Sequence, residues 1–168
     1  MIKKIYLILK DFYSSIKLGE FIELMVLPLI ITTVLFFVIN GYLDKKYIDE
    51  FNNTILTISS LLVAFGVSST TLLFSTSNNN IEQARKFITE RKDHNGFKIS
   101  YFQLIQIRAY YSVICELSLI VITLICNLLS LRYNLYFMFY FNIFLLIHIL
   151  FVLLISLISL YHLSWKDR

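Results

Sequence analysis

Four stretches of this chain, residues 21–42, 54–76, 109–130 and 136–163, are apolar over lengths close to those that cross a bilayer as a helix. Spanning takes roughly 20 residues. Only 15% of the residues are charged, against roughly 25% in soluble domains, so the chain reads as an integral membrane protein. A spanning barrel would alternate apolar and polar residues over about ten positions, and no such alternation occurs. One proline and four glycines in 168 residues also favour helices. The expected fold class is all-α, a polytopic bundle of four transmembrane helices.

The second span has two unlike faces. Thr57, Ser60, Ala64, Ser68, Thr71 and Ser75 recur at steps of three and four and form one small, hydroxyl-rich stripe. Leu61, Leu62, Phe65, Leu72 and Leu73 lie opposite. Such a helix is expected to turn its leucine face to lipid and its soft face to other helices or a wet cavity. Small residues at this spacing also permit close helix approach, within a protomer or between copies.

Residues 1–19 place Ile2, Ile5, Tyr6, Leu9, Phe12, Tyr13 and Ile16 on one helical face, with Lys3, Lys4, Lys10 and Lys17 opposite. This composition fits an amphipathic helix lying on an anionic leaflet; packing against a partner is the other reading. Lys10 and Asp11 interrupt the apolar run, which argues against a signal peptide. In the first span Pro28 is placed to kink the helix, because its missing N–H frees a carbonyl one turn back. Glu23 can reach the interface. A polar loop, 44–53, leads to span two.

Residues 77–108 form a charged hairpin. Asn79 or Asn80 is a candidate N-cap for a short helix, unless span two simply continues into water. Asn95-Gly96 is the strong turn signal. From Phe97 a single helix is expected to run to Asn127 and enter the membrane near Arg108. The brief loop 130–134 makes spans three and four an antiparallel hairpin. Twelve lysines and arginines fall on the side holding both termini and the hairpin, and three on the other. The positive-inside rule then puts the termini and hairpin in the cytoplasm.

Glu116 is the acidic residue placed well inside a span. An ionised carboxylate at that depth costs a few kcal/mol, and intramembrane acids usually face a bundle interior or a watery cavity. By depth, Ser68, Ser69, Thr70 and Thr71 on span two and Ser156 and Ser159 on span four reach the level of Glu116, and a polar cluster of Ser112, Ser68, Thr71 and Ser156 is expected around it. One reading is an ion or proton site; the other is a hydrogen-bonded Glu that fastens span three to span two. His148, with no His or acid at i±3 or i±4, reads as a packed, hydrogen-bonded histidine rather than a metal ligand. His162 and Trp165 suit the inner interface. Cys115 and Cys126 share a helix roughly 16 Å apart, too far for a disulfide. No cofactor or metal site is expected.

On the hairpin, Arg85, Lys86, Arg91, Lys92 and Lys98 interleave with Phe87, Phe97, Tyr101 and Phe102. Anionic lipid, a cytoplasmic protein partner and a pure orientation signal all fit this pattern. Nucleic acid fits less well, since Glu82, Glu90 and Asp93 dilute the charge.

The second-span pattern LLVAFGVSSTTLLFSTSNNNIEQAR, followed by the charged hairpin, resembles small four-span bacterial membrane proteins encoded beside antiphage systems. The membrane subunit of Kiwa-type defence and multi-span accessory proteins of some CRISPR systems are examples. The likeness lies in layout and carries no functional residue across. It implies a bacterial inner-membrane component that works with a cytoplasmic protein. With no nucleophile elbow, P-loop or paired-carboxylate motif in the sequence, the expectation is a non-enzymatic, homo-oligomeric component that perturbs the membrane. The alternative is an oligomeric channel or transporter-like protein with Glu116 lining the path.

Overall fold

The apolar runs fold as long helices in the computed structural model, which describes residues 2–39, 43–75, 79–130 and 136–165. Side chains at 72–74, 160 and 162–165 are outside the description. The stretches Leu18–Ile39, Lys45–Thr71, Tyr101–Ser130 and Tyr136–Ser159 are each long and apolar enough to cross a membrane. The fold is all-α, with one small β-hairpin at one end.

Helix α1, Ile2–Ser15, is amphipathic as its periodicity predicts, and it buries Phe12 and Ser15 against the bundle. A short α2, Leu18–Phe21, leads through a π-helical turn, Ile22–Val26, into α3, Leu27–Ile39. The π turn sits just ahead of Pro28. An α-helical bond to the Leu24 carbonyl would come from residue 28, and proline has no N–H to give.

Helix α4, Lys45–Ser75, begins nine residues before the apolar run. The expected polar loop is therefore helical from Lys45. The cause is tertiary, because Ile48 packs with Phe139, Tyr140 and Ile143 of the last helix. Across the bundle α4 buries Ile48, Asn52, Ile55, Ser59, Gly66 and Thr70 at heptad-like spacing.

The soft stripe is not the packing face. Thr57, Ser60, Ala64, Ser68, Thr71 and Ser75 are all exposed on the outside of the bundle. Leu61 and Phe65 are exposed as expected, Leu62 is half-buried, and Leu72 and Leu73 lie outside the described side chains. The hydroxyls of Thr57, Ser60, Ser68 and Thr71 bond the carbonyl four residues back. They need no partner from another helix.

Helix α5, Asn79–Lys86, packs Ile81 and Ala84 against Phe102. The chain then forms β1, Ile88–Lys92, and β2, Lys98–Ser100, paired antiparallel. The Asn95-Gly96 turn is where the sequence puts it. Gly96 has φ 85°, and the Asp93 carboxylate accepts from the Asn95 and Phe97 amides at 2.9 and 2.8 Å. The strands were not expected. Residues 98–100 are taken by β2, so α6 runs Tyr101–Ser130 rather than starting at Phe97. Helix α7, Tyr136–Trp165, completes the bundle. The 130–134 connection, apart from Ser130, and the side chains of His162 and Trp165 fall outside the described residues.

Candidate functional site

The start of the first span, the hairpin and α6 meet at one carboxylate. Arg91 of β1 grips Glu20 with both guanidinium nitrogens, Nη1 to Oε2 at 2.8 Å and Nη2 to Oε1 at 2.7 Å. Arg108 of α6 donates to the same Oε1 at 2.7 Å. The clamp extends outward from both arginines. Arg91 also donates to the Ser15 carbonyl at 2.7 Å, and Arg108 to Ser159 Oγ of α7 at 2.8 Å. Arg108 is only 6% exposed. Two planar cations with fork geometry suit one shared carboxylate. Nearby, Asp11 of α1 accepts from the His94 backbone N–H and meets its imidazole Nδ1. The hairpin is thus tied down on α1 and on the bundle end.

From this end a chain of hydrogen bonds enters the bundle. Phe12 of α1 stacks on Tyr111 of α6, with ring centroids 3.5 Å apart and planes 5° apart. The Tyr111 hydroxyl meets Tyr13 at 3.1 Å and His148 Nε2 at 2.8 Å. His148 Nδ1 lies 2.7 Å from the Leu24 carbonyl oxygen. A carbonyl only accepts, so Nδ1 carries the proton and Nε2 of the neutral ring is the acceptor. Tyr111 therefore donates to His148, and Tyr13 donates to Tyr111. Both ring nitrogens of His148 are committed, which fits a packed histidine and leaves no nitrogen for a metal.

Glu116 is fully buried, at 0% exposure, and neither carboxylate oxygen has a hydrogen-bond partner among the described residues. It leans on Gly66 of α4. A Cβ at position 66 would stand 2.9 Å from Val113 Cγ2 and 3.1 Å from Glu116 Oε2. Gly66 is also a wall of a cavity of about 80 Å³ between α4, α6 and α7, lined in part by Ser69, Thr70, Ser112 and Ser156. The hydroxyls of these four residues all donate to carbonyls of their own helices. Each oxygen keeps lone pairs to accept with.

Of the residues expected around Glu116, Ser112 and Ser156 are buried and line the Gly66 cavity, while Ser68 and Thr71 are exposed with their soft stripe. Ser69 and Thr70, the two residues between them, face inward. Depth on a helix is readable from sequence, but a rotation of about 100° per residue decides which neighbour points in. The expected cross-helix bonds to the carboxyl do not form, because each hydroxyl is satisfied within its own helix.

Of the hairpin cations, Arg91 is consumed by the clamp and Arg85 lies over the Phe102 ring, 4.8 Å from its centroid. Lys86, Lys92 and Lys98 are exposed. Charge counting treats Arg91 and Arg108 as orientation markers and passes over Glu20. The available signal was an acid and a base each placed at the edge of an apolar run.

No family model, curated protein or solved structure matches the chain.

Proposed function

We propose that this chain is a non-enzymatic, multi-pass component of a bacterial inner membrane that couples a cytoplasmic protein to the bilayer. The observation that carries this reading is the shared clamp, in which Arg91 of the hairpin and Arg108 of a span hold the same Glu20. A partner that moved the hairpin would act on the first span, α6 and α7 through that carboxylate, and on mid-bundle through Tyr111 and His148. The exposed Lys86, Lys92 and Lys98 offer the partner or anionic headgroups their contacts. The twelve-to-three charge bias supports a cytoplasmic hairpin and cytoplasmic termini. The outward row Thr57, Ser60, Ala64, Ser68 and Thr71 supports close approach of a second copy.

Antiphage defence by membrane perturbation is the biological role this layout supports. The test is phage challenge of bacteria carrying the chain with its genomic neighbours. Reversing Lys86, Lys92 and Lys98 to Glu is expected to abolish protection while the protein still inserts. Undiminished protection would overturn the coupling. Labelling of a Lys45→Cys variant from the cytoplasmic side would overturn the orientation.

A further inference from the structure

The acids of the first 20 residues are Asp11 and Glu20, and the hairpin engages both. Asp11 meets His94, and Glu20 is held by Arg91 together with Arg108 of α6. The lysines of the same segment are left without a counter-charge. None of Lys3, Lys4, Lys10 and Lys17 forms an ion pair among the described residues. All four are exposed.

Packing gives α1 three sides. Leu9 and Phe12, with Ile16 just after the helix, turn to the bundle. Asp11 and the Ser15 carbonyl turn to the hairpin. The third side carries Lys3, Tyr6, Lys10 and Tyr13 at steps of three and four. These are all exposed, Tyr6 by 60% and Tyr13 by 47%. Along this side runs a shallow open groove lined by Tyr6, Leu9, Lys10, Tyr13 and Ser14. Periodicity alone groups the two tyrosines with the apolar residues. The bundle covers only part of that face and leaves the tyrosines beside the lysines.

The level of α1 in the molecule follows from Phe12, which packs with Leu24, Tyr111 and Val152. Each of these lies more than one turn inside a stretch apolar enough to cross a membrane. Helix α1 is therefore seated at the height of the leaflet. A side that meets neither bundle nor hairpin at that height meets lipid. Aromatic rings beside lysines suit this boundary, with the rings at the headgroup level and the ammonium groups reaching the phosphates.

From these we infer that the third side of α1 binds an anionic phospholipid of the surrounding leaflet. Lys10 meets the phosphate, the hydroxyls of Tyr6 and Ser14 donate to its oxygens, and an acyl chain lies along Leu9 and Tyr13. Lys3 and Lys17 extend the positive field at either end. The site presupposes the multi-pass membrane placement proposed above. It also gives the hairpin a second task, since His94 and Arg91 keep the α1 acids occupied and the lysines available to lipid.

Tyr6→Trp puts a fluorophore in the groove of the full chain, with the parent's Trp165 signal subtracted. In phosphatidylcholine vesicles containing phosphatidylglycerol, brominated acyl chains are expected to quench this indole. Quenching should be stronger with the bromines on phosphatidylglycerol than on phosphatidylcholine at equal mole fraction. A lysine at an anionic leaflet is worth about fivefold in affinity. Lys10→Gln should therefore lower the preference about fivefold, while Lys45→Gln at the other end of the bundle leaves it unchanged. Quenching by aqueous iodide instead of bromolipid would overturn the proposal and give this side to water or a soluble protein. Equal quenching by the two lipids, or a preference that survives Lys10→Gln, would overturn it as well. Bromolipid in both leaflets reads the site whichever way the chain inserts, and none of these results moves the phage test of Lys86, Lys92 and Lys98.

Discussion

His148 of α7 donates from Nδ1 to the Leu24 carbonyl of the first span at 2.7 Å, and Pro28 lies where that carbonyl's α-helical donor would be. A residue that breaks one helix thereby ties it to another. The π turn at Ile22–Val26 and the His148 bond are two consequences of the same missing N–H.

That relationship makes a double-mutant cycle informative. His148→Ala is expected to cost about 2–4 kcal/mol, since it strips the Leu24 carbonyl and the Tyr111 hydroxyl of a partner and leaves a cavity. Pro28→Ala returns an N–H to the carbonyl, so in that background the penalty should shrink by about 1 kcal/mol. Denaturant unfolding in detergent measures both. Strict additivity would disprove the shared carbonyl.

The clamp predicts an order of effects. Glu20→Ala leaves the nearly buried Arg108 without its counter-charge and is expected to lose about 3–5 kcal/mol. Arg91→Ala should lose less, about 1–3 kcal/mol, because Glu20 keeps Arg108. Trypsin cleavage after Lys92 and Lys98 should accelerate in both variants. An unchanged cleavage rate in Arg91→Ala would show that the clamp does not hold the hairpin.

Two small residues on α4 should behave oppositely. Gly66→Ala pushes a methyl against Val113 and the Glu116 carboxyl and is expected to destabilise by about 1–3 kcal/mol. Ala64→Leu points outward and should change protomer stability by less than about 0.5 kcal/mol. Thermal melts of the monomer in detergent separate the two. The same Ala64→Leu change should lower the oligomer mass if the outward row joins copies.

At the hairpin tip, Gly96→Ala meets no atom within 4 Å but must hold φ near 85°. The expected cost is about 1 kcal/mol, borne locally. Hydrogen exchange should speed up across β1 and β2 and stay unchanged in α6. A global loss of protection would mean that the hairpin unfolds together with the bundle.

The number of spans, the amphipathic α1 and the Asn95-Gly96 turn were legible because each is a local pattern. Hydropathy over twenty residues, a 3.6-residue period and one left-handed glycine need no distant contact to declare themselves. Which residues of a helix fall near the level of Glu116 follows from a local rule of the same kind, since rise along a helix is fixed at about 1.5 Å per residue.

Rotation about each helix axis was another matter. The soft stripe of α4 looked like the packing face, yet Ser69 and Thr70 point inward while Ser68 and Thr71 point out. A serine that can bond its own carbonyl is content on either side, so its chemistry does not reveal where it faces. What decided the matter was shape, because α6 needs the absent side chain of Gly66 to seat Val113 and Glu116. The sharing of Glu20 by Arg91 and Arg108 is likewise tertiary. It joins residues 71 and 88 positions apart, a separation across which sequence pattern carries no signal. By itself the sequence determined what each segment is and where each residue falls along its helix; only the packed bundle decided which way each side chain looks and whom it meets.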